Sequence, residues 1–158
     1  MWEAFFMRTL VQRVSRAQVR VDGQVTGQIG KGLLLLVGFS PADQPADLDW
    51  MAGKVVRLRV FNDEEGKMNL SIGDVKGGLL VVSQFTLYGD CRKGNRPSFA
   101  GSAPSDHAIH QYNQFIDRLK LTGLEVGTGS FGAHMEVELV NDGPVTLWLQ
   151  SPSEFQQG

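Results

Sequence analysis

The run Ser83-Gln84-Phe85-Thr86-Leu87 sets two hydroxyls and an amide at the end of an apolar stretch, Leu79 to Val82. Strand ends are where polar groups can face a cleft. A serine or threonine nucleophile needs a base to take its proton. No base stands nearby in the sequence, and the GxSxG elbow is absent. Ser83 and Thr86 therefore read either as reacting groups or as strand-end polar groups bonding the backbone. Arg92, Lys93 and Arg96 form a small basic cluster, either a solvated loop or a grip for a few phosphates. Cys91 beside them would feel a lowered pKa if the cations were close, yet a lone loop cysteine is more often incidental. His107 and His110 lack a third ligand at a recognised spacing, so no metal is expected. His134 alternates with Met135 and reads as a surface or internally satisfied histidine. Gly143-Pro144 adjoins the strand-like Val145-to-Gln150 run. It reads as a turn or as a stiff piece of main chain presenting its carbonyls.

The composition narrows the chemistry further. The chain has 158 residues, 42% hydrophobic and 20% charged, enough for one domain with a real core. A formal net charge of −2 advertises no general nucleic-acid surface, so any such contact is local, as with a strand end held in a pocket. The single cysteine fits a reducing compartment. No GxGxxG fingerprint or P-loop appears, so nucleotide cofactors are unsupported. No apolar run reaches membrane-spanning length. The opening MWEAFF lacks a basic n-region and a full h-region, so it does not read as a signal peptide. Met7 offers a second start.

The elements that must position these groups can be read from periodicity. RTLVQRV, AQVRV and the segment through Asp22-Gly23 read as antiparallel strands with a hairpin turn. LLLLVGF reads as a strand covered on both faces. Leu48, Met51, Val55 and Leu58 recur at helical spacing, with Asp43, Asp47 and Asp49 near the helix start. LLVVSQFTL is a further apolar strand. The Gly/Ser/Pro-rich segment Tyr88 to Ser105 is a long loop of the kind that is often functional. A second helix follows, with Ile109, Tyr112, Ile116 and Leu119 on one face, Phe115 beside them, and Gly123 as its stop. LEVGTGSFGAHMEVELV and GPVTLWLQ close the chain as strands, and the tail SPSEFQQG is expected to fray. The pattern predicts a single α+β domain, mostly antiparallel sheet with two main helices packed on it.

Taken together, LVQRVSRAQVRVDGQVTGQIGKGLLLLVG, FNDEEGKMNLSI, SQFTL, the RPSF of Arg96 to Phe99, FGAHM and NDGPVT resemble the D-aminoacyl-tRNA deacylases, first known as D-tyrosyl-tRNA deacylases. SQFTL and NDGPVT match that family's two signature motifs. The resemblance runs from about residue 8 to residue 150. Residues 1–6 stand as an N-terminal extension and 151–158 as a tail, both outside it.

The resemblance implies a barrel-like sheet in a homodimer, with two active sites at the subunit interface. It implies hydrolysis of the ester joining a D-amino acid to the terminal ribose of tRNA, in the cytoplasm, with no cofactor, metal or membrane. Gly143-Pro144 would be cis and enter the partner's pocket, where its carbonyls reject L-residues. Glycine has no side chain to exclude, so glycine mischarged on alanine tRNA becomes a second substrate. Ser83, Gln84, Phe85 and Thr86 would form the reaction centre, with backbone N–H groups around Ser83, Gln84 and Phe85 as oxyanion donors and Thr86 as an orienting group. Arg96, Phe131, Gly132, Ala133 and Met135 would hold the tRNA end, a sandwich for the terminal adenine. The competing readings are a general serine or threonine esterase and a non-catalytic module that binds tRNA ends.

Overall fold

A computed structural model describes residues 6–152. The expected extension, all but Phe6 of it, and the end of the expected tail (residues 153–158) lie outside the described residues. The first strand, β1 (Arg8–Val21), is one continuous element rather than two short runs. It is the hub of the sheet. Along one edge its first half pairs antiparallel with β3 (Gly32–Gly38) and its second half with β2 (Gln24–Ile29). Along the other edge it pairs antiparallel with β8 (Glu136–Gln150). The β1–β2 connection is the expected Asp-Gly turn, with φ of 49° at Asp22 and 77° at Gly23. That pair of positive values is what a tight hairpin matching strand twist requires.

Beyond β3 the sheet becomes parallel: β3 pairs with β6 (Gly78–Ser83), and β6 with β7 (Glu125–Thr128). The described sheet is thus mixed: its three pairings through β1 are antiparallel, as expected for most of the sheet, and the β3–β6 and β6–β7 pairings are parallel. A parallel neighbour needs a crossover long enough to cross the sheet. The crossovers carry α1 (Pro45–Arg57) and α2 (Ser105–Lys120). The sheet curls until β2 meets β7. A Cβ on Gly27 would lie 2.3 Å from the Thr128 carbonyl oxygen, so only glycine lets the two strands approach and nearly close the barrel. A small hairpin, β4 (Phe61–Asn62) with β5 (Met68–Leu70), sits apart.

Strand β3 explains why LLLLVG lacks alternation. Leu33, Leu35 and Val37 face a core shared with both helices, whereas Leu34 and Leu36 face a second core inside the barrel with Val14, Val19, Leu80 and Val82. Helix α1 opens with a capping box in which the Gln44 N–H donates to the Asp47 carboxylate at 2.7 Å. It buries Leu48, Met51 and Val55, while Leu58 is its C-cap, just past the end. In α2, Tyr112, Phe115, Ile116 and Leu119 are buried as expected, together with Ala108 and Gln111; Ile109 is 37% exposed and falls off the core face. Gly123, with φ of 81°, follows the helix end at Lys120.

Candidate active site

Strands β3 and β6 run parallel with Val37 opposite Ser83, so both reach the same end of the barrel together. There β6 stops. The segment expected to continue as strand turns into a four-residue 3-10 helix, Phe85–Tyr88. Three contacts force the turn. The Gln84 N–H donates to the Val37 carbonyl at 2.7 Å. The Tyr88 side chain is fully buried, and its hydroxyl donates to the Gly38 carbonyl at 3.1 Å. A Cβ on Gly38 would lie 2.7 Å from the Tyr88 ring, so the glycine makes room for it.

A 3-10 helix leaves its first N–H groups without intrahelical partners. Here these belong to Phe85 and Thr86. The Gln84 N–H, one of the expected donors, is committed to Val37; of the open pair, Phe85 was expected and Thr86 was not. The Gln84 side-chain amide donates to Thr86 Oγ1. An amide N–H is not a base, so this contact orients the hydroxyl without activating it.

Behind this turn lies a cavity of about 460 Å³, the size of a small-molecule site. Val37 to Phe39 form one wall and Val82 to Phe85 the next. Phe131, Gly132, Ala133, His134 and Met135 form a third. Ser102 and Ala103 just before α2, Ser105 and Ala108 within it, and Val137 of β8 complete it. Hydrogen bonds hold these walls in register: Ala103 N–H to the Phe39 carbonyl at 2.9 Å, Gly129 N–H to the Val81 carbonyl at 3.2 Å, and Tyr112 hydroxyl to that same carbonyl at 2.7 Å. Burial pushes the Tyr112 hydroxyl up to about 12, so it stays a donor across the ordinary pH range. Phe85 is 56% exposed at the mouth, and its ring packs T-shaped with that of Phe99, centroids 5.1 Å apart.

Of the residues singled out from sequence, Ser83, Gln84, Phe85, Phe131, Gly132, Ala133 and Met135 come together around this cavity. Thr86, Arg96, Gly143 and Pro144 do not line it. His134 does, although its pattern reads as that of an ordinary surface histidine. Among the described residues no cluster of three or more His, Cys, Asp or Glu side chains could hold a metal ion. No described helix is long and apolar enough to cross a membrane.

The Gly143-Pro144 peptide is cis. Its turn does not separate two strands; it bulges from within β8. Val14 pairs with Asn141 and Gln12 with Thr146, so residues 142–145 swing out opposite Arg13 alone. Asn141 closes the bulge from inside: its Oδ1 accepts the Val145 N–H at 2.9 Å and its Nδ2 donates to Thr146 Oγ1 at 2.8 Å. Gly143 has φ of 138°, where L side chains rarely go. Gly143 and Pro144 are exposed, on the outside of this chain.

Arg13, which the sequence did not single out, is a buried cation beneath the Gly143-Pro144 bulge. It is 7% exposed. Its Nε donates to the Asp142 carbonyl at 2.9 Å, and its Nη1 donates to the Val60 carbonyl at 2.7 Å and to Asn62 Oδ1 at 3.3 Å. The only signal was a charge inside a strand that otherwise feeds the core. The basic loop is also more ordered than its composition suggests: Asp90 and Ser98 exchange backbone hydrogen bonds at 2.7 and 2.9 Å. The Arg92 guanidinium grips Asp90 in a two-point pair and holds that carboxyl down to about 2. Cys91, Lys93 and Arg96 stand exposed around this pair.

Residues 10–150 match the model of the D-Tyr-tRNA(Tyr) deacylase family. The D-aminoacyl-tRNA deacylase of Chloroherpeton thalassium is 58% identical over 96% of this chain and 100% of its own length. That of Thermosipho africanus is 54% identical over 94% and 100%. The solved c-Myc DNA Unwinding Element Binding Protein is 43% identical, covers 92% of this chain and 99% of its own, and superposes with a TM-score of 0.86. A nearly closed mixed barrel flanked by two helices, with a cavity at the ends of parallel strands, defines a shared class of molecule. This chain belongs to the D-Tyr-tRNA(Tyr) deacylase family.

Proposed function

We propose that the chain is a tRNA-editing hydrolase that removes D-amino acids from tRNA by presenting backbone groups, and that a second copy completes its site. Family membership and the near-full-length relatives support the ester hydrolysis. The mechanism rests on one observation: the cavity is walled by strand ends and a 3-10 turn, while the Gly143-Pro144 turn projects from the same chain elsewhere. A turn held this firmly on an outer surface suits insertion into another copy, so the working enzyme is a homodimer with two sites.

In the reaction, the aminoacyl ester carbonyl sits at the opening of the 3-10 turn. The Phe85 and Thr86 N–H groups stabilise the oxyanion that forms when water adds, a contribution of about 2.7–4 kcal/mol for one well-placed donor. The ester is already activated, and the neighbouring ribose hydroxyl of the substrate can relay protons, so no side-chain base is needed. The partner's turn places main-chain oxygens against the α-carbon. They leave room for a hydrogen but not for an L side chain. Glycine passes the same filter, which makes glycine mischarged on alanine tRNA a second substrate. The terminal adenine lies against Phe131, Gly132, Ala133 and Met135, and Arg96 meets the phosphates beyond. A cytoplasmic location follows from the substrate.

The test is deacylation of matched D- and L-tyrosyl-tRNA. The D-substrate should be consumed and the L-substrate spared. Equal rates would remove chiral selection. Turnover of simple esters without an RNA end would favour a general esterase, and stable tRNA binding with no turnover would favour a binding module.

A further inference from the structure

The turn that carries the oxyanion donors is short. Four residues of 3-10 helix hold themselves together weakly, because hydrogen-bond geometry in that form is poor. Its first end is tied to β3 through the Gln84 N–H. Its last end is seated by the buried Tyr88 side chain, and Arg8 adds a second anchor there. Arg8 opens β1, where its backbone stands between Gly38 of β3 and Gln150 of β8. The side chain is buried, 5% exposed, and Nη1 donates to the Leu87 carbonyl at 2.8 Å. The guanidinium lies 4.7 Å from the Tyr88 ring centre and 5.5 Å from that of Trp148. A guanidinium between aromatic faces gains from both and is held flat. Trp148 belongs to β8, the strand that bears the Gly143-Pro144 turn, and is itself 48% exposed.

We propose that Arg8 is a positioning residue for the reaction: clamped between Tyr88 and Trp148, it fixes the Leu87 carbonyl and so aims the Phe85 and Thr86 N–H groups at the developing oxyanion. Arg8 touches no substrate in this arrangement. It acts through the orientation of one peptide turn, and the effect falls on the transition state rather than on binding. The inference rests on the backbone-donor reading of the site given above.

The experiment is steady-state deacylation of D-tyrosyl-tRNA by the full chain carrying Arg8→Met, Arg8→Lys or Trp148→Leu, with melting temperature and circular dichroism on each. Arg8→Met keeps the stem and loses the donors, so kcat should fall about tenfold or more while KM changes by less than about twofold. Arg8→Lys keeps a cation and one donor and should recover part of the lost kcat. Trp148→Leu removes the outer half of the clamp from an exposed position; it should lower kcat by a smaller factor, again at constant KM. Wild-type kcat in a folded Arg8→Met or Arg8→Lys protein overturns the inference, as does a rise in KM that accounts for the whole loss. If Arg8→Met does not fold, Arg8→Lys and Trp148→Leu decide the question. A Thr86→Ala variant that loses all turnover would instead remove the backbone-donor reading itself, a result separate from either Arg8 outcome.

Discussion

The Arg13 guanidinium donates to the main-chain carbonyl of Asp142 at 2.9 Å, one residue before the Gly143-Pro144 peptide. It also lies 3.7 Å from the Asp142 carboxylate and bonds the Val60 carbonyl behind it. A single buried cation thus ties the bulge of β8 to the body of the molecule. Arg13→Lys cannot reproduce this three-way fork. It should loosen the turn and raise the rate on L-tyrosyl-tRNA relative to the D-substrate by about tenfold, equivalent to about 1.4 kcal/mol of discrimination. Measuring kcat/KM on both substrates checks this. Arg13→Ala should go further and destabilise the fold, since it leaves buried carbonyls without their donor.

Gly143 gives a stricter prediction. A Cβ there would lie 2.9 Å from Val145 Cγ2 and 3.0 Å from Arg13 Nη2, at a φ of 138°. Gly143→Ala should therefore displace the turn and abolish most activity on D-substrates while the barrel still folds. If the turn serves the other copy, mixing this variant with one crippled at Phe85 should restore sites that neither homodimer has. The readout is activity of the mixed dimer against both parents.

Much of the site was legible in the sequence, and what was not has identifiable causes. SQFTL signalled itself by polar groups at the end of an apolar run and FGAHM through the family resemblance, and residues of both line one cavity. The continuous apolar run of β3 correctly announced burial on both faces. The parallel pairing of β3 with β6 was hidden, because it depends on the crossover through α1 rather than on local pattern. The 3-10 turn was hidden too: Phe85, Thr86 and Leu87 have strand-like propensities, and the override comes from Tyr88 seating against a glycine far away in sequence. Arg13 was invisible for the same reason, since its partners Val60, Asn62 and Asp142 come from distant segments.

The Thr86 hydroxyl accepts from the Gln84 side-chain amide, which cannot take its proton. Thr86→Ala should lower kcat by less than about tenfold, the range expected for an orienting contact rather than a nucleophile. Rapid-mixing deacylation would show this. An acyl-enzyme trapped on Thr86 in the wild-type protein would contradict it.

Asp43 predicts a pH dependence of stability. Burial pushes its carboxyl up from its ordinary 3.8 to about 7, against the hydrogen bonds it accepts from the Ser40 N–H and hydroxyl at 2.8 and 2.9 Å; the neighbouring Asp47 raises it further. A raised folded-state value means that the fold favours the protonated acid. This contribution is full below about pH 3.8 and is lost as pH rises through about 7. Thermal melts between those values should show wild-type stability declining relative to Asp43→Asn, with the variant matching or exceeding wild type above pH 7.

The central claim is that main chain at the α-carbon does the selecting. The sharpest measurement is the deacylation rate of one alanine tRNA charged in turn with glycine, D-alanine and L-alanine. These substrates differ only in what occupies two positions on one carbon. Glycine and D-alanine should be released at comparable rates, and L-alanine slower by a hundredfold or more, about 2.7 kcal/mol of exclusion. Comparable release of L-alanine would contradict the account.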